Sequence, residues 1–325
     1  MTFLFRVLVF PGFAFLFLLT LFCDWFERKV EARIENRIGP TYAGPAGLFQ
    51  PLADFIKLLT KAEIIPTRAR KPIFGAMPLI AFSLFVYTVF YMPIDGDYVI
   101  PASGFEGDLI VVLLLISIAN LAIFLAGWAS SNPLSQMGAS RVLTQFLGFD
   151  IPLFLLALSP AFLANSLSIA IIAAKQIIPF ALLIPWVFVS FLLTIQAELE
   201  RDPFDIPNAE TEIVGGYETE FSGAKLAFLK LSKDVQVVLG AALTAELFLG
   251  GPYGPVLFGS KAAWYAFWFV AKVLLVILLS ELITSLFARL RIDYVVELGW
   301  KTLLPLSLLM LVLTSWLVKV KWEGL

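Results

Sequence analysis

Eight carboxylates, Glu198, Glu200, Asp202, Asp205, Glu210, Glu212, Glu218 and Glu220, crowd into 23 residues, and Arg201 is the only base among them. Spread in water they would form a solvated acidic connector. The same stretch, AELERDPFDIPNAETEIVGGYETEFSG, interleaves Phe204, Ile206, Ile213, Val214, Tyr217 and Phe221, which gives it apolar surface to pack against protein. A carboxylate packed into low dielectric holds its proton more tightly, and close neighbours share protons. The chemistry this pattern suits is proton relay.

A second set of charges falls inside apolar runs: Asp150, Glu246, Lys272 and Glu281. A charge at bilayer depth costs about 2.5–3.5 kcal/mol, so each should face the protein interior and meet a partner. Lys272 and Glu281 lie nine residues apart, too far along one helix to pair with each other. A third set, FERKVEARIENRIGP, places Glu27, Glu31 and Glu35 at intervals of four, with Arg33 and Arg37 on a similar spacing and Arg28 and Lys29 beside them. This helix either extends into water with its own ion pairs or lies beside other charged protein. Near the C-terminus, ARLRIDYVVELGWK brings Arg289, Arg291 and Asp293, for which anchoring at the membrane surface is explanation enough.

Absences narrow the chemistry. The chain has no histidine and one cysteine, Cys23. Zinc, haem and iron–sulfur sites need several such ligands, and a histidine-based nucleophilic site needs the base. No disulfide can form within the chain.

The elements that must hold these groups are membrane helices. The 325 residues are 60% hydrophobic and 15% charged, well beyond the 45–50% apolar content of a soluble domain. Runs of about twenty apolar residues predict eight transmembrane helices, near 3–25, 73–93, 109–128, 146–164, 177–196, 226–249, 264–287 and 302–318. The fourth is interrupted by Asp150, Pro152 and Pro160. We therefore expect an all-α polytopic membrane protein, one membrane domain over 1–325. It has a first charged loop over 26–72 and an acidic loop over 197–225. Within the first loop, Leu48, Leu52, Phe55, Ile56 and Leu59 share one helix face, opposite Asp54, Lys57 and Lys61. That amphipathic helix lies in the interface or caps the bundle. Nine Lys and Arg between Arg28 and Lys71 make the first loop cytoplasmic, and the loops carrying Arg141, Arg201, Arg289, Arg291 and Lys301 share that side.

Taken together, ERKVEARIENRIGP, GPAGLFQPLADFIKLLTK, WASSN, RDPFDIPNAETEIVGGYETEFSGAKLAF and LGWKTLLPL resemble subunit 1, the H-type subunit, of respiratory complex I. Relatives of that subunit anchor archaeal membrane-bound hydrogenases and sulfur-reducing complexes. The resemblance runs in order from residue 27 to about 306. It implies a membrane subunit that anchors a soluble redox arm and couples its chemistry to H⁺ or Na⁺ movement.

By position, the resemblance assigns a junction with the redox arm, or a quinone-like cavity, to Glu27, Arg28, Arg33, Arg37, Asp54, Lys57, Arg141, Arg201 and Tyr217, and Arg289, Arg291 and Asp293 are added as candidates for the same face. It implies a proton path through Asp150, Glu198, Glu200, Asp202, Asp205, Glu210, Glu212, Glu218 and Glu220, to which Glu246 is added for its place within an apolar run. It implies no catalytic residue, no metal and no cofactor bound by this chain alone. A quinone at the junction belongs to the quinone-using members, and iron–sulfur and nickel–iron centres belong to partner subunits. The partners implied are soluble hydrogenase-like and iron–sulfur subunits on the cytoplasmic face, antiporter-like and small membrane subunits, and the lipid of the cell membrane; nucleic acid is not among them.

Two departures from the family pattern, Asp150 where the fourth span commonly carries Glu and Asn208 where quinone users often carry Glu, favour the hydrogenase or sulfur-reducing branch. A quinone-binding subunit of a complex I-type oxidoreductase is the alternative. A stand-alone secondary transporter would need uptake by the chain alone, and no internal repeat supports one.

Overall fold

The computed structural model describes residues 2–99, 104–256 and 260–323, and these are helices joined by turns and loops, without strands. Six helical stretches are long and apolar enough to cross a membrane: Leu4–Ile34, Lys71–Val89, Asp108–Ala129, Pro133–Ala164, Lys261–Leu286 and Ile292–Lys319. The chain is a multi-pass membrane protein.

The other two expected spans differ from a simple apolar helix for physical reasons. Residues 177–196 break into α8 (Phe180–Leu183) and α9 (Pro185–Glu198), because Ile184 precedes a proline and leaves the helical region at φ −129°, ψ 62°. Residues 226–249 form α11 (Gly223–Phe248), 26 residues long, but Lys225, Lys230, Lys233, Asp234 and Glu246 dilute its apolar character. It is nonetheless the central helix, with every residue from Val235 to Phe248 buried. A helix buried on all sides needs no polar stripe.

The fourth span is not interrupted. Asp150, Pro152 and Pro160 all lie within α6 (Pro133–Ala164), which starts with the Asn132 side chain accepting from the Leu134 N–H. Around α11 pack α2 (Phe13–Ile34), α4 (Lys71–Val89) and α12 (Lys261–Leu286). Helix α5 (Asp108–Ala129) packs on α4 and α6, while α9 and α14 (Leu304–Glu323) pack on α6. Ile110, Leu114, Ile118 and Leu121 of α5 are exposed at helical spacing and turn to lipid, so its Ser117 and Asn120 point inward.

The helices alternate in direction and define two ends. At the charged end, the Arg70 N–H donates to Ala129 O, the Ile64 N–H to Ser222 Oγ, and the Leu290 N–H to Pro203 O. At the far end, Arg6 pairs with Asp95 at 2.7 Å and Gln176 Nε2 donates to Glu246 O at 2.8 Å.

The amphipathic helix forms as α3 (Gln50–Thr60), packed across α2 and α11 at the charged end. Phe55 meets Phe17 edge-on at 5.8 Å, while Ile56 and Leu59 stay exposed, so the helix both caps the bundle and presents apolar side chains outward.

Candidate functional site: a buried polar column below a charged face

The acidic loop folds down onto the bundle, as its interleaved apolar residues require. Tyr217 is fully buried, and Phe221 stacks on Phe74 at 4.2 Å with nearly parallel rings. Phe204 and Ile206 join Phe149, Ala197, Val295 and Leu303 in a separate apolar cluster. The loop backbone can lie this close because α5 and α6 present Gly127 and Gly138. A Cβ on Gly138 would stand 2.6 Å from Tyr217 N, and one on Gly127 would stand 2.5 Å from Tyr217 Cβ. Ser135 Oγ then ties the helices to the loop, donating within reach of Gly127 O (3.0 Å) and Tyr217 O (3.3 Å).

The focus of the charged end is Arg201. Its guanidinium is clamped between Glu27 of α2 and Glu281 of α12, with one N–H group donating to each. Glu281 thereby finds the interhelical partner its position demands, and Glu27 turns inward from the row it shares with Glu31 and Glu35. Those two pair outward with Arg37 instead, Glu31 at 2.9 Å. Arg28 spans Asp24 (2.8 Å) and Asp54 (2.9 Å), and Lys57 approaches Asp54 at 3.8 Å. Burial works against the Asp54 carboxylate, but the hydrogen bond from Arg28 holds it below the usual range.

On the loop itself, Glu212 joins Arg141 (2.7 Å) and Arg289 (3.4 Å), and the hydrogen bond from Arg141 lowers its pKa. Arg141 also reaches Ile206 O at 3.3 Å. Asn132 Nδ2 donates to Glu220. Asp202 and Asp205 are half-buried; burial raises both, and for Asp205 the repulsion of Asp202 and Glu200 adds to it and brings the pKa to about 6. Burial also raises Glu218, against the pull of Lys230 and Lys233. The side chain of Glu210 lies outside the described residues. Arg33 is exposed and makes no ion pair among the described residues, and Arg291 pairs loosely with Asp293 at 3.6 Å in the open.

Below Arg201 a column of polar groups enters the bundle. Glu200 binds Lys233 at 2.8 Å and accepts from the Tyr217 hydroxyl at 3.3 Å. Burial and the nearby Glu200 charge keep that phenol protonated well above its ordinary range. Glu198, 5% exposed, accepts from Asn120 Nδ2 at 2.5 Å through one oxygen, while its other oxygen has no partner among the described residues. Gln236 Nε2 donates to Asn120 Oδ1 (2.9 Å) and Glu198 O (3.0 Å). Asp150 and Glu200 are the carboxylates acting on Glu198, and Asp150 accepts from Ser117 Oγ at 2.7 Å. Glu200, Glu198 and Asp150 are thus brought into one electrostatic neighbourhood. Glu246 is not: it stands at the far end of α11.

Two adjoining clefts open beside the column. One, of about 310 Å³, is lined by Glu27, Glu31, Glu200, Arg201, Asp202, Asp205, Asn208 and Glu281. The other, of about 160 Å³ between α2, α3 and α11, is lined by the apolar Leu21, Phe55, Leu58 and Leu231 and by the charged Lys230, Lys233 and Asp234. Asp24 and Arg28 line both. Among the described residues no group of three or more His, Cys, Asp or Glu is arranged to hold a metal.

The sequence reading missed Asn120, Gln236, Ser117, Lys233 and Asp234. Amides and hydroxyls within apolar spans were a signal that could have found the first three, since unpaired polar groups are costly there.

Comparison with known proteins places the chain. The family model for NADH dehydrogenase matches residues 7–315. The chain is 40% identical to the H-type subunit of an NADH-quinone oxidoreductase from Dehalococcoides mccartyi (strain CBDB1), covering 93% of this chain and 84% of that one. It is 37% identical to the second of the H-type NADH-quinone oxidoreductase subunits of Geobacter metallireducens, over 95% and 93% of the two chains. It is 34% identical to the corresponding NADH-quinone oxidoreductase chain from Carboxydothermus hydrogenoformans, over 93% and 85%. These relatives are bacterial and named for quinone. The expectation of an archaeal hydrogenase or sulfur-reducing branch finds no support in them.

Proposed function

Because the chain belongs to the NADH dehydrogenase family, we propose that it is the membrane subunit of a complex I-type quinone oxidoreductase. In this reading it seats the redox arm on its charged face, lines the quinone site, and passes the redox event to ion movement through its buried carboxylates. The observation that carries the reading is the column Glu200–Glu198–Asp150 directly beneath the Arg201 clamp and the two clefts. The charged face, with its first loop rich in Lys and Arg, lies on the cytoplasmic side of the cell membrane.

The clefts suit an amphiphile. The α2–α3–α11 cleft offers an apolar wall for a tail, and Asp24, Arg28, Lys230 and Lys233 stand where a polar head would arrive. Quinone reduction supplies the redox chemistry and takes up two protons per quinol. The chain's own part is to orient the head with Arg28 and Lys233, to exclude water with Phe55 and Leu58, and to adjust charge on Glu200 and Asp205. A change of charge there acts on Glu198, whose partial hydrogen bonding leaves one oxygen free to exchange a proton, and from Glu198 on Asp150. The partners are the other subunits of such an assembly, which carry the redox centres.

The test uses the assembly purified through this chain and placed in liposomes. Glu198→Gln and Asp150→Asn should leave assembly and quinone reduction near wild type and lower redox-driven ion uptake, the effect of losing one relay carboxylate. Full uptake in both variants would remove the column from the path. Copurification of the chain without redox subunits would remove the reading itself.

A further inference from the structure

The far end of α11 holds a charge arrangement that the quinone reading does not use. Glu246, in the last turn of the helix, is 0% exposed, and neither carboxylate oxygen has a hydrogen-bond partner among the described residues. The helix ends at Phe248, so the negative end of its dipole, worth roughly half an elementary charge, faces the same spot. Asp108, fully buried at the start of α5, adds to the negative field on Glu246. Among the described residues the cation acting on Glu246 is Lys272 of α12, and it does not close on the carboxylate. Its ammonium donates instead to Gly251 O at 2.8 Å and Tyr253 O at 2.7 Å.

The loop after α11 is shaped around that carboxylate. Gly250 and Gly251 both take positive φ, +75° and +46°, and a Cβ on Gly251 would stand 1.9 Å from Glu246 Oε2. The positive φ at Gly251 favours glycine, and any side chain there would push the Glu246 carboxyl group aside. Gln176 Nε2 pins the helix end from the side, donating to Glu246 O and Leu247 O, and so satisfies backbone while leaving the carboxylate alone. A buried carboxyl group with no hydrogen-bond partner among the described residues, a helix C-terminus and two loop carbonyls gathered around one ammonium form an oxygen-rich pocket. Hard monovalent cations prefer oxygen donors of this kind.

We propose that Glu246, together with the carbonyls of Gly251 and Tyr253, forms a sodium-binding site for which Lys272 is the built-in competitor. With the ammonium on the two carbonyls, the site is in its competitor-held form. When Na⁺ enters, it takes Glu246 and the carbonyls, and the Lys272 side chain swings off them; no covalent bond changes. The site is separate from the quinone clefts and does not depend on the quinone reading.

The competitor role makes two substitutions move binding in opposite directions, which a purely structural role would not. In the assembly reconstituted in nanodiscs, ²²Na⁺ binding is measured at constant ionic strength with N-methylglucamine as the replacing cation. Glu246→Gln should weaken binding by about tenfold or more, whereas Lys272→Met should tighten it several-fold. Glu106→Gln, a carboxylate elsewhere on the far end, should leave it unchanged. Where a variant fails to fold, the wild-type protein still decides: exchange of N-methylglucamine for Na⁺ should shift a carboxylate band in the infrared difference spectrum, and absence of saturable ²²Na⁺ binding together with a silent carboxylate region would overturn the site. Weaker binding in Lys272→Met, or unchanged binding in Glu246→Gln, would overturn it equally. Quinone reduction is read on the wild-type samples as well, so that failure here and failure of the quinone reading are distinguishable.

Discussion

The Arg201 clamp with its neighbouring ion pairs and the far end of α11 treat buried charge in opposite ways. At the charged end Arg201 is answered by Glu27 and Glu281, Arg28 by Asp24 and Asp54, and Lys233 by Glu200. At the far end Glu246 is buried without a donor, and Lys272 settles on backbone carbonyls. Ion pairing fixes geometry, which suits a face that must hold a partner and a cleft in register. An unsaturated carboxylate is destabilising alone and is kept where something exchangeable completes it. The difference separates groups that build the site from groups that can change state.

The sharpest way to break the comparison is to unpair the charged end. Arg201→Met leaves Glu27 and Glu281 buried with no counter-charge, a loss of about 3–5 kcal/mol for removing one member of a buried ion network. Thermal unfolding of the detergent-solubilised chain should show it directly. Adding Glu27→Gln and Glu281→Gln to Arg201→Met should recover much of the loss, because the neutral set removes the stranded charges. A mild effect of Arg201→Met, with no rescue by the added changes, would mean that the clamp is not what holds α2 to α12.

Next in size is the contact that seats the acidic loop. Gly138→Ala puts a methyl group 2.6 Å from the Tyr217 backbone nitrogen, where backbone rather than a flexible side chain must yield. Overpacking of this kind costs about 1–3 kcal/mol. Hydrogen exchange across residues 199–222 should accelerate, while that of the far end of α11 stays as in wild type. Acceleration at both ends alike would show that the loop and the bundle are one cooperative unit.

How much of this was legible in the sequence follows from the range of each interaction. Spans were readable because burial in lipid is a local compositional demand, so residues 226–249 predicted α11 within a few positions despite its charges. Packing of the acidic loop was readable from Phe204, Tyr217 and Phe221 set among its carboxylates. The break at Ile184 was foreshadowed only by Pro185, and an apolar run on both sides of it outweighed that signal. Partners were not readable. Arg201 meets Glu281 across 80 residues and Glu27 across 174, and no periodicity encodes such pairings. Asn120 and Gln236 are ordinary polar residues in the sequence. Only the fold shows that they span α5 and α11 to reach Glu198.

A smaller effect tests one of the charged end's raised carboxylates. Asp205 has a folded pKa of about 6, raised by burial and by Asp202 and Glu200, above an ordinary unfolded value near 3.8. Between those values the folded state binds more protons than the unfolded one, so this group's contribution to stability falls as pH rises from about 4 to 6. Asp205→Asn should therefore stabilise the chain at pH 7–8, by about 1 kcal/mol given its partial exposure, and make no difference near pH 4. Unfolding midpoints at the two pH values decide it. Stabilisation at pH 4 as well would point to a packing effect of the amide rather than relief of charge.

The smallest effect marks where the comparison ends. Arg291 and Asp293 also sit at the charged end and form a pair at 3.6 Å, yet their side chains are 80% and 77% exposed. Water screens such a pair, and holding two side chains together offsets most of the attraction. Arg291→Ala should change thermal stability by no more than about 0.5 kcal/mol. If assembly nevertheless weakens, with the effect growing as salt is lowered, then Arg291 belongs to the surface that meets the redox arm, because screening acts on exposed charges between partners as it does within one chain. Unchanged assembly at low salt would confine the docking charges of this face to the inner groups around Arg37, Arg141 and Glu212. Pairing alone would then not mark a contact residue; burial beneath the partner would have to be shown as well.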